Sequence, residues 1–251
     1  MNDRRIESAT GHPVTCARTF VLVHGGFHGG WCWASVATRL RARGHAVFTP
    51  TQTGCGERSH LLSKSITLAT FVDDVANVLK WEDLSSVVLV GHSFGGSTIS
   101  GVADRMPERI RQLIYLDAVI LENGQTMFGL LGREVVAARM KAAEASGGVS
   151  IEPPPPSTFG IRDEAQARFV QARLTSHPLG TYTSALTLAN PVTNGVPAVY
   201  VQCTDPVFAG LQPTRDWVKA NGMKTVEIHT GHDAMITAPE LLTDLLDKLS
   251  T

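Results

Sequence analysis

Residues 87–96 read VVLVGHSFGG. An aliphatic run halts at a glycine, a serine stands two residues on, and two more glycines lead into a segment of helical character, Ser97–Asp104. A short unbroken aliphatic run of this kind is a strand buried on both faces. A strand that passes through G-x-S-x-G into a helix is a nucleophile elbow, which a chain can build only at the end of a sheet strand. Its turn is sharp, so a side chain at Gly91 or Gly95 is expected to clash. The turn lifts the Ser93 hydroxyl to a helix N-terminus, where the helix dipole favours developing negative charge. Ser97, one turn further on, reads as a packing residue.

The rest of the chain supplies the sheet this turn needs. Aliphatic, β-branched runs recur at Thr19–Val23, Ala46–Thr49, Leu113–Leu116, Ala198–Gln202 and Thr225–Ile228. Helical periodicity lies between them. Trp33, Val36, Ala37 and Leu40 share one face; so do Leu68, Val72, Val75 and Leu79, and Leu241, Leu242, Leu245, Leu246 and Leu249 form a last amphipathic helix. Strand–helix alternation predicts an α/β fold, a mostly parallel doubly wound sheet. The alternation breaks over about 118–190, which reads as a small cap inserted into one domain spanning 19–251. The polar, patternless residues 1–18 read as a loose N-terminal arm.

Composition excludes several functions. Lys+Arg 22 against Asp+Glu 23 leaves a net charge of -1 in 251 residues, so no basic excess points to nucleic acid or an anionic membrane. No apolar run reaches 18 residues, so no membrane partner is expected. The four cysteines stand apart, with no C-x-x-C pair or zinc-finger spacing. They read as free thiols of a reducing compartment, which makes the cytoplasm the expected location.

A serine needs a base, and nine histidines compete. Reacting groups of such sheets sit at the carboxyl ends of strands. His232, in the loop HTGHDAMIT after the last aliphatic run, is favoured over His229, which is expected to point into the sheet. For the orienting carboxylate, Asp205 after the preceding run gives the order Ser93, Asp205, His232. Asp117, at the end of LIYLDAV, is the second candidate, and Asp233 stands too close to His232 to fold back on its ring. The glycine loop HGGFHGGW, residues 24–31, admits close backbone approach. Its Gly26 N–H and the Phe94 N–H are the expected oxyanion donors. His28 and Trp31 read as supports of that loop. No GKS or GKT follows, so a phosphate loop is a poor reading.

Together VLVHGGFHGGWCW, GHSFGG, TDPVF and TGHDAM resemble the α/β-hydrolase superfamily. The pattern HGxxHGGWxW is similar to a small-capped branch of plant methylesterases, hydroxynitrile lyases and bacterial pyrethroid-hydrolase-type esterases. TPTQTGCGERSHLL looks most like the bacterial members. The resemblance implies a Ser93–Asp205–His232 triad, an oxyanion hole at Gly26 and Phe94, and no metal or organic cofactor. Hydroxynitrile lyases of the branch carry threonine and lysine where this chain has Gly25 and Asp233.

The expected activity is serine hydrolysis of an uncharged, fairly hydrophobic carboxylic ester through an acyl-enzyme, with a small-molecule ester as partner. Amide or carbamate cleavage uses the same parts. A lyase or a cofactor-free oxygenase uses the same scaffold without Ser93 as covalent nucleophile. A catalytically idle ligand-binding protein is the reading from outside enzymology, and the intact triad and glycine loops argue against it. Expected pocket walls are Phe27, Met127, Phe128, Leu130, Phe159 and Phe208.

Overall fold

A computed structural model describes residues 17–250. The arm expected at 1–18 lies outside the described residues except for its last two, and so does Cys16. The chain runs β1 (Thr19–Val23), α1 (Ala34–Ala42), β2 (Ala46–Phe48), α2 (Leu68–Trp81), β3 (Val87–His92), α3 (Gly95–Arg105) and β4 (Ile110–Leu116). The cap follows, with α4 (Arg133–Ala143), the short strands β5 (Ser150–Ile151) and β6 (His177–Pro178) around α5 (Glu164–Gln171), and α6 (Leu179–Thr183). The chain then returns through β7 (Ala198–Cys203), α7 (Gln212–Ala220), β8 (Thr225–Ile228), α8 (Ala234–Thr237) and α9 (Pro239–Leu249).

Six strands form one sheet in the order β2-β1-β3-β4-β7-β8, and every pairing in it is parallel. The aliphatic runs dictate this. In β1, β3 and β4 successive side chains enter two different apolar clusters: Val21, Leu89 and Tyr115 in one, Leu22, Val90 and Leu116 in the other. A period of two with both sets buried is a sheet covered on both faces. α2 and α3 cover the first face through Val72, Val75, Ile99 and Val102. α1 and α9 cover the second through Val36, Leu40, Leu242 and Leu246.

The cap is tied to the sheet rather than set apart from it. Its antiparallel pair β5–β6 is two residues long in each strand. Ile151, Phe159, Ile161, Leu179 and Tyr182 all join the first apolar cluster. Among the described residues no helix is long and apolar enough to cross a membrane.

Candidate active site

Ser93 follows β3 with φ 51, in the left-handed region that disfavours any residue with a Cβ. The turn is crowded as its sequence requires. A Cβ at Gly91 would lie 2.6 Å from the Gly95 carbonyl oxygen, and one at Gly95 would lie 2.7 Å from the His24 carbonyl oxygen. Only glycine fits at either position. Ser93 is held from both sides, because its N–H donates to the Leu116 carbonyl (3.2 Å) and its own carbonyl accepts from Val119 (2.8 Å). Phe27 (φ 69) and Asp117 (φ 38) are also left-handed. Three strained residues thus converge on one site, which is where strain is usually kept.

His232 sits in the loop after β8, buried, and donates from Nδ1 to Asp117 Oδ2 at 2.7 Å. The acid against the base is therefore Asp117 at the end of β4, and the expected Asp205 is elsewhere. Asp205 Oδ1 accepts from Arg162 Nη2 at 2.9 Å on the surface, with its side chain 40% exposed. The Arg162 guanidinium holds the Asp205 carboxyl below its ordinary range. The physical reason lies in the flanks. Asp117 leaves a fully buried strand and enters the buried run Ala118–Leu121, so its charge must find a partner inside. Asp205 lies in a turn between Thr204 and Pro206 and finds its partner in solvent. His229 also differs from expectation: its side chain is 82% exposed and lies 3.7 Å from Asp205, not in the sheet.

Arg215 on α7 backs this pair. Its Nη1 lies 4.0 Å from Asp117 Oδ1, and its Nη2 donates to the Phe208 carbonyl at 2.9 Å. The Phe208 ring stacks on His232 with centroids 4.3 Å apart and planes at 19°. One guanidinium thus reaches both the acid and the residue that covers the base. Sequence reasoning missed it, since an arginine in an amphipathic helix carries no distinguishing pattern.

The glycine loop is held by a set of buried histidines. His24 donates from Nδ1 to the Gly25 carbonyl (2.8 Å) and accepts at Nε2 from the Gln52 N–H (3.0 Å), a neutral ring whose pKa burial lowers to about 4. His177, in the cap, accepts the Phe27 N–H at Nδ1 (3.2 Å) and meets Thr181 Oγ1 at Nε2 (3.0 Å). The Thr181 hydroxyl hydrogen is already donated to the Pro178 carbonyl, so Nε2 is the protonated nitrogen of His177. Burial lowers the His177 pKa well below its ordinary value. His28 is different. Its Nδ1 faces the Gly26 carbonyl (2.8 Å) and its Nε2 faces Asp233 Oδ2 (3.0 Å), both acceptors. Both nitrogens must donate, so the ring is an imidazolium. Burial opposes that charge, and the adjacent Asp233 carboxylate with the Gly26 carbonyl overcomes it and raises the His28 pKa. The support expected of His28 is met, through an ion pair to the residue after the base.

With His177 occupying the Phe27 N–H, the Gly26 and Phe94 N–H groups have no partner among the described residues. Both residues line a cavity of about 220 Å³ together with Ser93 and His232. Of the expected walls, Phe27, Met127, Phe159 and Phe208 line it, and Phe128 and Leu130 do not. The turn at Phe128–Leu130 points Met127 and Leu131 at the cavity, while the Phe128 ring packs on Tyr182 at 5.3 Å. Val135, Arg139 and Tyr182 are wall residues that the sequence did not disclose.

Among the described residues one group has metal-ligand types: His92, His232 and Asp233, with ligand atoms within 4.8 Å of one another. Each makes one hydrogen bond elsewhere, and His92 Nδ1 and Asp233 Oδ1 are left without a hydrogen-bond partner among the described residues. His92 Nε2 donates to the His232 carbonyl (3.0 Å), His232 Nδ1 to Asp117, and Asp233 accepts from His28.

A parallel six-stranded sheet that carries a strained serine after its third strand, with a buried histidine–carboxylate pair at the same edge, defines a hydrolase of the α/β class. The chain belongs to the alpha/beta hydrolase family, which it matches over residues 20–245. It is 36% identical over 244 residues to the carbendazim hydrolyzing esterase of Nocardioides sp. (strain SG-4G), covering 92% of this chain and 98% of that one. It is 36% identical over 108 residues to the pyrethroid hydrolase of Sphingobium wenxiniae, covering 42% of this chain and 38% of that one. Among solved structures it resembles an extracellular alpha/beta-hydrolase from a Paenibacillus species, with a TM-score of 0.81 at 27% identity, covering 92% and 98% of the two chains.

Proposed function

We propose that this protein is a serine esterase that cleaves a compact carboxylic ester through Ser93, His232 and Asp117. The observation that carries the reading is the buried 2.7 Å contact between His232 Nδ1 and Asp117 Oδ2 beside a left-handed Ser93. Asp117 fixes the tautomer that leaves Nε2 of His232 free to accept the Ser93 proton. Ser93 Oγ attacks the ester carbonyl, and the oxyanion is received by the Gly26 and Phe94 N–H groups. The alcohol departs with the proton held on His232. Water, deprotonated by the same ring, then releases the acid from the acyl-enzyme.

The mostly apolar walls favour a fairly hydrophobic substrate. The names of the two esterase and hydrolase relatives support ester cleavage. The lyase alternative finds little support. A Cβ at Gly25 would lie 2.8 Å from Ser93 Cβ, so the position has no room for a threonine, and Asp233 supplies a negative charge where a lyase places lysine. The test is a panel of activated esters with burst kinetics and a fluorophosphonate label. Wild type should show a burst and take the label on Ser93. Ser93→Ala should lose both, with turnover down several orders of magnitude. Undiminished turnover in that variant would overturn the mechanism.

A further inference from the structure

We propose that Arg139 is a recognition point for a hydrogen-bond-accepting group on the substrate, so that the preferred esters carry a second carbonyl or a carboxylate; this rests on the esterase reading. Val135 and Arg139 stand four residues apart on α4, on one helix face, and both line the cavity that holds Ser93 and His232. The cavity wall is otherwise largely apolar, with Phe27, Phe94, Val119 and Phe159 among its residues. Arg139 is half-buried, so it stands at the mouth of this apolar cavity and brings a cation to its rim.

The protein partner of Arg139 is the Tyr182 phenol, which takes up part of its five-donor fork. Among the described residues no carboxylate lies within 4 Å of the Arg139 guanidinium. Its central carbon lies over the Tyr182 ring, 5.4 Å from the centroid. A guanidinium held over an aromatic face keeps N–H groups at its planar edge for an acceptor. Burial raises the Tyr182 phenol, and the charge of Arg139 and its hydrogen bond to the hydroxyl offset part of that rise.

Tyr182 ties this point to the reacting centre. A Cβ at Gly26 would lie 3.3 Å from the Tyr182 hydroxyl, so the phenol extends from the oxyanion loop toward Arg139. The recognised acceptor therefore lies on the oxyanion side of the cavity. The cation–π contact alone would pin α4 to α6, and this simpler role predicts no discrimination among substrates.

Three methyl esters of equal chain length decide between the two: methyl hexanoate, methyl 5-oxohexanoate and monomethyl adipate. Wild type should favour at least one acceptor-bearing ester over the alkyl ester by roughly 10- to 100-fold in kcat/KM, the range of a hydrogen bond to a charged group. In Arg139→Met the ratio should collapse toward one, chiefly through KM. Preference for both acceptors marks hydrogen bonding to a carbonyl, and preference for the carboxylate alone marks charge pairing; either supports the assignment. Calorimetric binding of the same esters to Ser93→Ala and to Ser93→Ala/Arg139→Met gives the parallel reading without turnover. If wild type cleaves none of them but turns over the activated-ester panel, calorimetry alone judges Arg139; if it turns over no ester at all, the esterase reading falls. Equal binding of all three esters, or a preference that survives in the double variant, would overturn the proposal.

Discussion

His28 and Asp233, 205 positions apart, form a buried pair with Nε2 and Oδ2 at 3.0 Å and side chains 1% and 0% exposed. The pair joins the oxyanion loop to the loop of the base. His28 also donates to the carbonyl of Gly26, and Asp233 directly follows His232.

The pair makes a prediction about pH. The His28 pKa is raised above its ordinary 6.5, so its contribution is fully present below that value and is lost as pH rises through the raised pKa. The Asp233 pKa is lowered below its ordinary 3.8, chiefly by His28 acting against burial, so its contribution is present above 3.8 and is lost as pH falls through the lowered value. Asp233→Asn should cost about 3 kcal/mol, the low end for breaking a buried pair, or a fall in Tm of roughly 6–12 °C. The difference from wild type should be largest between these limits and shrink at higher pH. Thermal melts across pH would show it, and a difference flat from pH 5 to 9 would refute the charged pair.

The identity of the acid can be decided by two substitutions. Asp117→Asn should lower kcat by about 10⁴, because the amide favours the wrong tautomer of His232. Asp205→Asn removes a surface pair with Arg162 and should leave kcat within about twofold, since such pairs contribute little. Reversed effects would return the acid to the loop after β7.

Arg215→Lys tests the backing of the pair. A lysine cannot serve Asp117 and the Phe208 carbonyl together. We expect kcat to fall about 10-fold, equivalent to 1.4 kcal/mol of barrier, with KM little changed. A change confined to KM would place Arg215 in substrate binding instead.

Dialysis against a chelator should leave the rate unchanged, because the proposed steps use Ser93, His232 and Asp117 and the His232 Nδ1 that a metal would need is held by Asp117. Loss of activity with rescue by zinc would contradict the serine mechanism.

Much of this arrangement is legible in the residues. The central strands β1, β3 and β4 follow from nearly unbroken apolar runs, because a doubly covered parallel strand leaves little polar alternation to misread, whereas the edge strand β8 alternates through Thr225 and Glu227. Ser93 is legible because only an elbow needs glycine at both 91 and 95. The carboxylate is legible in flanking hydrophobicity and not in chain order: LIYLDAVIL encloses its acid in apolar residues, whereas TDPVF sets its acid in a turn. Arg139 and Tyr182 lie in the cap, where short elements give periodicity little to act on, and their convergence on the cavity is purely tertiary.

Asp117 is also the last residue before the chain leaves the sheet to build the cap. The next four residues, Ala118 to Leu121, are buried, and Val119 clamps the Ser93 carbonyl. The seam between sheet and cap therefore falls after Leu121, not at the end of β4. A chimaera spliced at Ala118 would import a foreign clamp along with its new cap. One spliced between Leu121 and Glu122, and rejoined ahead of Ala198, would keep Ser93, Asp117, His232, Arg215 and the Val119 clamp, exchange the substrate-facing wall, and need a new residue in place of His177 to hold the Phe27 N–H.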